Sequence, residues 1–190
     1  MDSRKLVLAS RSPQRRAILE SLGVDFEVRV TDVVEEDEGV PKAVAEENAL
    51  RKAVAGRAAA GEVVLGVDTL VAIGLEIWGK PPNEDVARDT LRQLSGRTHE
   101  VVSGVALVDD GGEVRAATAV TKVTFRPLDD RMVEWYLGSG EWEERAGGYA
   151  IQGRGGALVE RIEGDYLNVV GLPVGTLLGL WPDLIAATSD

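Results

Sequence analysis

The chain has 190 residues, 44% apolar and 28% charged, with 21 Lys and Arg against 32 Asp and Glu for a net charge of −11. That composition supports one globular core, and the negative balance argues against non-specific nucleic-acid binding or an anionic membrane surface as the main partner. Cysteine is absent and His99 is the single histidine, which excludes disulfide scaffolds, thiol nucleophiles and Cys or multi-His metal sites and weakens any Ser–His–Asp scheme.

Lys5 to Ala9 predicts a short buried strand. Ser12 before Pro13 predicts a helix N-cap and first turn, and Ile18, Leu19 and Leu22 continue it at helical spacing to a stop at Gly23. Phe26 to Val30 alternates as a second strand, and residues 32–41 form an acidic loop. Residues 42–60 are alanine-rich and predict a long helix. Val63 to Ile73 predicts a strand buried on both faces, turned by Gly74 into Glu76-Ile77-Trp78. Asn83 caps a helix that ends at Ser95-Gly96. Val101 to Val108 and Val114 to Phe125 pair across Asp109-Asp110-Gly111-Gly112. Asp129 or Asp130 caps a helix through Leu137, residues 147–156 hold five glycines, Ala157 to Ile162 is a strand, and a last helix follows Pro173. No apolar run reaches the ~18 residues of a membrane span, and the apolar stretch after Lys5 is too short for a signal peptide. The expectation is one soluble cytoplasmic α/β domain over residues 1–190, without linker or repeat.

Several residues invite chemistry. Ser10-Arg11-Ser12-Pro13-Gln14-Arg15-Arg16 sits where a strand passes into a helix. Free N–H groups there favour an anion, yet Arg15 and Arg16 put cations in the first turn at a cost of about 0.3–1 kcal/mol. A phosphate would resolve that conflict; a solvated turn is the plainer alternative. Asp68 interrupts an apolar strand, so it is paired, metal-bound or at a cleft edge. Its structural alternative is pairing with a local donor such as Thr69. Lys80, between Gly79 and Pro81-Pro82, is on a stiffened loop that suits a fixed anion contact or a plain exposed turn. Glu35 and the neighbouring acids Asp32, Glu36, Asp37 and Glu38 offer oxygen ligands to a hard cation, or simply a solvated loop. The run Arg145 to Gly156 permits close backbone approach to a ligand, and Gln152 could read a base edge with its amide. It is neither a Walker loop nor a dinucleotide fingerprint. His99 reads as a strand start, and Trp78, Trp135, Tyr136 and Trp181 as core or interface.

Six segments together resemble the Maf family, septum-formation-inhibitor-like nucleoside triphosphate pyrophosphatases. They are Leu8-Ala9-Ser10-Arg11-Ser12-Pro13, Gly66-Val67-Asp68-Thr69, Gly79-Lys80-Pro81, Leu94-Ser95-Gly96-Arg97-Thr98-His99, Ala146 to Gly153 and Gly171-Leu172-Pro173. They stand in the family's order and cover nearly the whole chain. The resemblance implies an elongated mixed central sheet flanked by helices, with two lobes around a substrate cleft, as in inosine-triphosphate-pyrophosphatase-like folds. It implies hydrolysis of a nucleoside triphosphate to monophosphate and pyrophosphate with Mg²⁺ or Mn²⁺. By position, Asp68 would activate water or bind the metal, and Glu35 would join it at the metal. Arg15, Lys52 and Lys80 would hold the triphosphate, with Ser10 and Ser12 near it, and Gln14, Thr69 and Gln152 would read the base. Thr69 and the run Tyr149 to Gly153 look like the branch acting on dTTP and UTP, with modified pyrimidine nucleotides as further candidates. Gln14 stands where that branch usually has arginine. A homodimer is the family-level expectation. The competing expectations are a nucleotide-binding regulator of cell division and the same chemistry on 7-methylguanosine triphosphate.

Overall fold

The longest apolar strand of the sequence is the axis of the fold. In the computed structural model, which describes residues 4–185, β3 (Glu62–Ile73) is buried along almost its whole length. Before it come β1 (Lys5–Leu8), α1 (Pro13–Ser21), β2 (Phe26–Val28) and α2 (Pro41–Ala55). After it come β4 (Glu76–Trp78), α3 (Glu84–Leu94), β5 (Thr98–Asp109), β6 (Val114–Phe125), α4 (Asp130–Leu137), β7 (Val159–Glu163), α5 (Tyr166–Val170) and α6 (Val174–Leu180). The sheet is mixed and seven-stranded, in the order β2-β1-β3-β5-β6-β7, with β4 also on β3. Among the described residues no helix is long and apolar enough to cross a membrane.

Helices α1, α3 and α4 start at side-chain caps. Asn83 accepts from Val86 N at 3.0 Å, Asp129 from Met132 N at 2.7 Å, and Ser12 from Arg15 N at 3.4 Å. Three expectations shift. The alanine-rich helix ends at Ala55, not residue 60: Gly56 N–H closes the last turn on Lys52 O and Ala53 O, and Arg57 leaves the helical region at φ 49°. The second strand stops at Val28. A short helix, α5, was not expected; Asp165 caps it by accepting from Leu167 N at 2.8 Å.

The register of the strands opens a notch. One edge of β3 is occupied by β5 from Val63 to Ala72. On the other edge β1 covers Glu62 to Leu65 and β4 covers Val71 to Ile73. Among the described residues, 66–70 between them have no strand partner on that side. Alternation along β3 gives the notch two faces. Val64, Leu70 and Ala72 turn toward α2, with Ala45, Ala49 and Ala53 in the same clusters. Val63, Leu65 and Val67 turn the other way into a core with α1 and α6, and Val71 joins a separate core with α3 and α4. Two lobes therefore meet at the notch.

Helix α2 lies unusually close to the sheet. Ala45, Ala49 and Ala53 form a fully buried stripe of small side chains. Opposite it, a Cβ on Gly66 would stand 2.0 Å from Ala49 O, and one on Gly104 would stand 2.1 Å from Ala45 O. Backbone cannot yield to such overlap without moving the helix. Gly104→Ala is therefore expected to lower unfolding free energy by about 3 kcal/mol, read by urea titration; an unchanged midpoint would show that α2 does not rest there.

His99 is a core residue of β5. Its Nε2 is 2.8 Å from the Tyr149 hydroxyl, and its ring meets Phe125 and Tyr149 edge-on at 5.0 and 5.4 Å. Burial pushes the imidazole from 6.5 down to about 4, because the charged form is left without solvent. An unfolded chain would take up this proton near 6.5 and the folded chain only near 4, so stability falls as pH drops through that window. Nuclear magnetic resonance titration of the single histidine should show a midpoint near 4; a midpoint near 6.5 would place the ring in water.

Candidate active site

The α2 face of the notch is a carboxylate pair bridged by a lysine. Asp68, paired across β5 with Gly104, points at α2. Lys52 Nζ lies 2.6 Å from Asp68 Oδ1 and 2.7 Å from Glu35 Oε1. The Asp68 and Lys52 side chains are only 9% and 11% exposed, whereas Glu35 is half exposed on the acidic loop. Such a buried pair is kept by mutual compensation: removing one partner strands the other charge and costs about 3–5 kcal/mol.

Asn48 completes this face, one helical turn before Lys52. Its Nδ2 donates to Asp68 Oδ2 at 3.1 Å and to Glu36 O at 2.8 Å, while its Oδ1 accepts from Glu36 N at 2.8 Å. One buried amide thus orients the aspartate and fastens the loop carrying Glu35. Sequence reasoning missed it, although its spacing to Lys52, beside the Ala45-Ala49-Ala53 stripe, is a legible signal. The local donor expected for Asp68 is not Thr69, which lies on the other face.

That opposite face is built around Arg15. Its Nη1 donates to Ser10 Oγ at 3.1 Å, Nη2 to Thr69 Oγ1 at 3.1 Å and Nε to Gly171 O at 2.9 Å. The conflict between a first-turn cation and the helix dipole is met by these protein acceptors. Burial pushes the guanidinium below its ordinary value, and the charges of Asp68 and Glu35 pull against that shift. Ser12 caps α1 and donates to Gln14 Oε1 at 3.2 Å, and Ser12 N donates to Ser10 Oγ at 3.1 Å. Ser103, wholly buried on β5, places its Oγ 2.9 Å from Thr69 Oγ1. Nothing in the sequence pointed to Ser103, because only strand register brings it there.

Lys80 and Gln152 stand apart from both groups among the described residues. Lys80 is exposed and pairs with Glu144 at 3.1 Å. Gln152 is exposed at the start of a 3₁₀ turn over 153–157. The glycine-rich segment is anchored beside Lys80: Gly147 N donates to Gly79 O at 3.0 Å, and at Gly147 and Gly148, both at φ +66°, a Cβ would stand 2.9 Å from Val71 and 3.3 Å from Pro81.

The site is a cleft between two lobes with a carboxylate pair and two cations, Lys52 and Arg15, the construction of an α/β protein that takes a small anionic ligand. The chain belongs to the Maf-like protein family, whose pattern it matches over residues 5–183. It is 42% identical to a dTTP/UTP pyrophosphatase of Pyrococcus furiosus over 93% of this chain and 94% of that one. It is 47% identical to a dTTP/UTP pyrophosphatase of Thermus thermophilus over 92% of each. Among solved structures it is similar to a HAM1 protein from Coxiella burnetii, with 17% identity, a TM-score of 0.46, and coverage of 81% of this chain and 90% of that chain.

Among the described residues no group of three or more histidine, aspartate or glutamate side chains is placed to hold a metal ion. Asp68 and Glu35 remain as a two-carboxylate set with oxygen donors only. Such a set fits a Mg²⁺-type cation that shares its shell with phosphate and water, and does not fit a closed protein cage. Asn48→Ala should weaken folding by about 1–3 kcal/mol and speed amide exchange at Glu36, measured by hydrogen–deuterium exchange. Unchanged exchange at Glu36 would mean that the loop is held by other contacts.

Proposed function

We propose that this chain hydrolyses nucleoside triphosphates, dTTP and UTP foremost, at the anhydride between the α and β phosphates, releasing monophosphate and pyrophosphate. The observation that carries the reading is the Lys52 ammonium held between Asp68 and Glu35 at the open notch. The dTTP/UTP pyrophosphatases of Pyrococcus furiosus and Thermus thermophilus, similar to it along more than nine-tenths of its length, support the substrate class.

In this reading the polyphosphate lies in the notch. Lys52 and the field of Arg15 offset its charge so that water can approach phosphorus, and Lys80 adds to them on leaving Glu144. Ser10 and Ser12 line the same end, while Thr69, Gln14 and Gln152 face the base. Each Asp68 oxygen accepts one hydrogen bond from the protein, from Lys52 or from Asn48, and so keeps a second lone pair. One of these takes the proton as the water oxygen bonds to phosphorus and the bridging P–O bond breaks. Asp68 and Glu35 are also the residues that would hold Mg²⁺ or Mn²⁺. Bound with the triphosphate, that ion supplies charge neutralisation and a more acidic water.

A panel of nucleoside triphosphates with Mg²⁺ or Mn²⁺, scored for pyrophosphate, tests the reading. Turnover should favour dTTP and UTP and stop with chelator. Asp68→Asn should cut kcat by about 10²–10⁴ without loss of fold by circular dichroism. Release of orthophosphate alone, or full activity of Asp68→Asn, would refute the assignment.

A further inference from the structure

Thr69 is the one residue between Val63 and Ala72 of β3 that is not fully buried. Its side chain is therefore the part of this stretch of β3 that stays accessible on the α1 face of the notch. What the Thr69 hydroxyl can offer depends on how its neighbours use it. Arg15 Nη2 has only donors and gives one hydrogen to Thr69 Oγ1 at 3.1 Å. Ser103 Oγ, 2.9 Å away, either gives or takes.

Hydrogen-bond accounting decides between these. Ser103 is wholly buried, and among the described residues its hydroxyl has Thr69 Oγ1 as its partner. Were Thr69 the donor, the Ser103 hydrogen would be buried with no acceptor, and an unpaired buried donor is costly. Ser103 therefore donates, and Thr69 Oγ1 accepts from both Ser103 and Arg15. The Thr69 hydrogen is left over. Among the described residues its remaining acceptor is Gly171 O at 3.4 Å, a long contact to an oxygen that already accepts from Arg15 Nε at 2.9 Å. That hydrogen is available to a ligand in the notch.

We propose that Ser103, with Arg15, is a positioning residue that locks the Thr69 hydroxyl as an outward donor, so that the notch selects a nucleobase presenting a carbonyl oxygen over one presenting an amino group. Uracil and thymine carry an oxygen where cytosine carries an amino group, so the device favours UTP and dTTP over CTP. An amino group facing Thr69 would set donor against donor, and the fixed Arg15 and Ser103 bonds prevent the hydroxyl from turning round to accept. The inference rests on the triphosphate reading above and adds to it the residue that sets polarity at the base.

The test uses the α,β-methylene analogues of UTP and CTP, whose binding by calorimetry does not depend on turnover. The intact chain should bind the UTP analogue more tightly than the CTP analogue, by about tenfold for one hydrogen bond gained against one lost. Ser103→Ala frees the Thr69 hydrogen to turn either way and should shrink that ratio to about two- or threefold. Its affinity for inorganic tripolyphosphate should be unchanged, which a general loss of structure would not spare. Ser103→Cys, close in shape and a weak donor, should fall between, and serves if the alanine variant is unstable. Thr69→Ser should keep the ratio and Thr69→Val should lose it. A Ser103→Ala ratio equal to that of the unaltered chain would overturn the proposal. Absence of discrimination in the unaltered chain would also overturn it. Binding with full discrimination but no hydrolysis of the natural nucleotides would refute the proposed function and leave this inference standing.

Discussion

The site depends first on how closely α2 can approach the sheet. A helix normally rests on a layer of side chains, but here carbonyl oxygens of Ala45 and Ala49 lie only 2.1 and 2.0 Å from where Cβ atoms of Gly104 and Gly66 would be. With the helix that low, Lys52 and Asn48 reach Asp68 directly instead of spanning a layer of apolar side chains. The ion pair is buried yet compensated, which is the condition for keeping charge inside a protein. Glycine at these two positions is thus a requirement of the chemistry as much as of the packing.

The second constraint is the break in strand pairing on the edge of β3. Because β1 ends at Leu65's level and β4, running the other way, ends at Val71's, adjacent residues with opposite orientations open onto one cleft. Asp68 faces a lysine, shared with a second carboxylate, and an amide; Thr69 faces a guanidinium and the Ser103 hydroxyl. One dipeptide therefore serves two kinds of recognition, one by charge and one by hydrogen-bond polarity. The strand's alternation keeps them from interfering, and the two cores on the Thr69 face provide separate walls.

Much of this was legible in the chain. The apolar run with an aspartate inside it, the proline after a capping serine, and the capping residues Asn83 and Asp129 have local physical causes and read correctly. The association of Glu35, Lys52 and Asp68 came from resemblance, since a lysine on an alanine-rich helix carries no signal alone. Asn48 was overlooked because asparagine within a helix has no fixed meaning until its neighbours are known. The end of α2 was misplaced because alanine favours helix past the point where Gly56 must fit against Val64. Helix α5 escaped notice because five residues show too little periodicity.

Periodicity, capping and composition are local properties, so the sequence by itself determined the elements, the single domain and the dependence of any chemistry on carboxylates and cations in a chain with no thiol and one imidazole. The fold, in turn, showed that this imidazole belongs to the core. Register and proximity are not local. Only the tertiary structure decided that Arg15 spends its hydrogens on Ser10, Thr69 and Gly171, that Lys52 stands between two carboxylates, and that Ser103 faces Thr69. Apart from Arg15 with Ser10, each of these joins residues sixteen or more positions apart, and what brings them together is the pairing of β3 with β1 and β5 and the seating of α2 on two glycines.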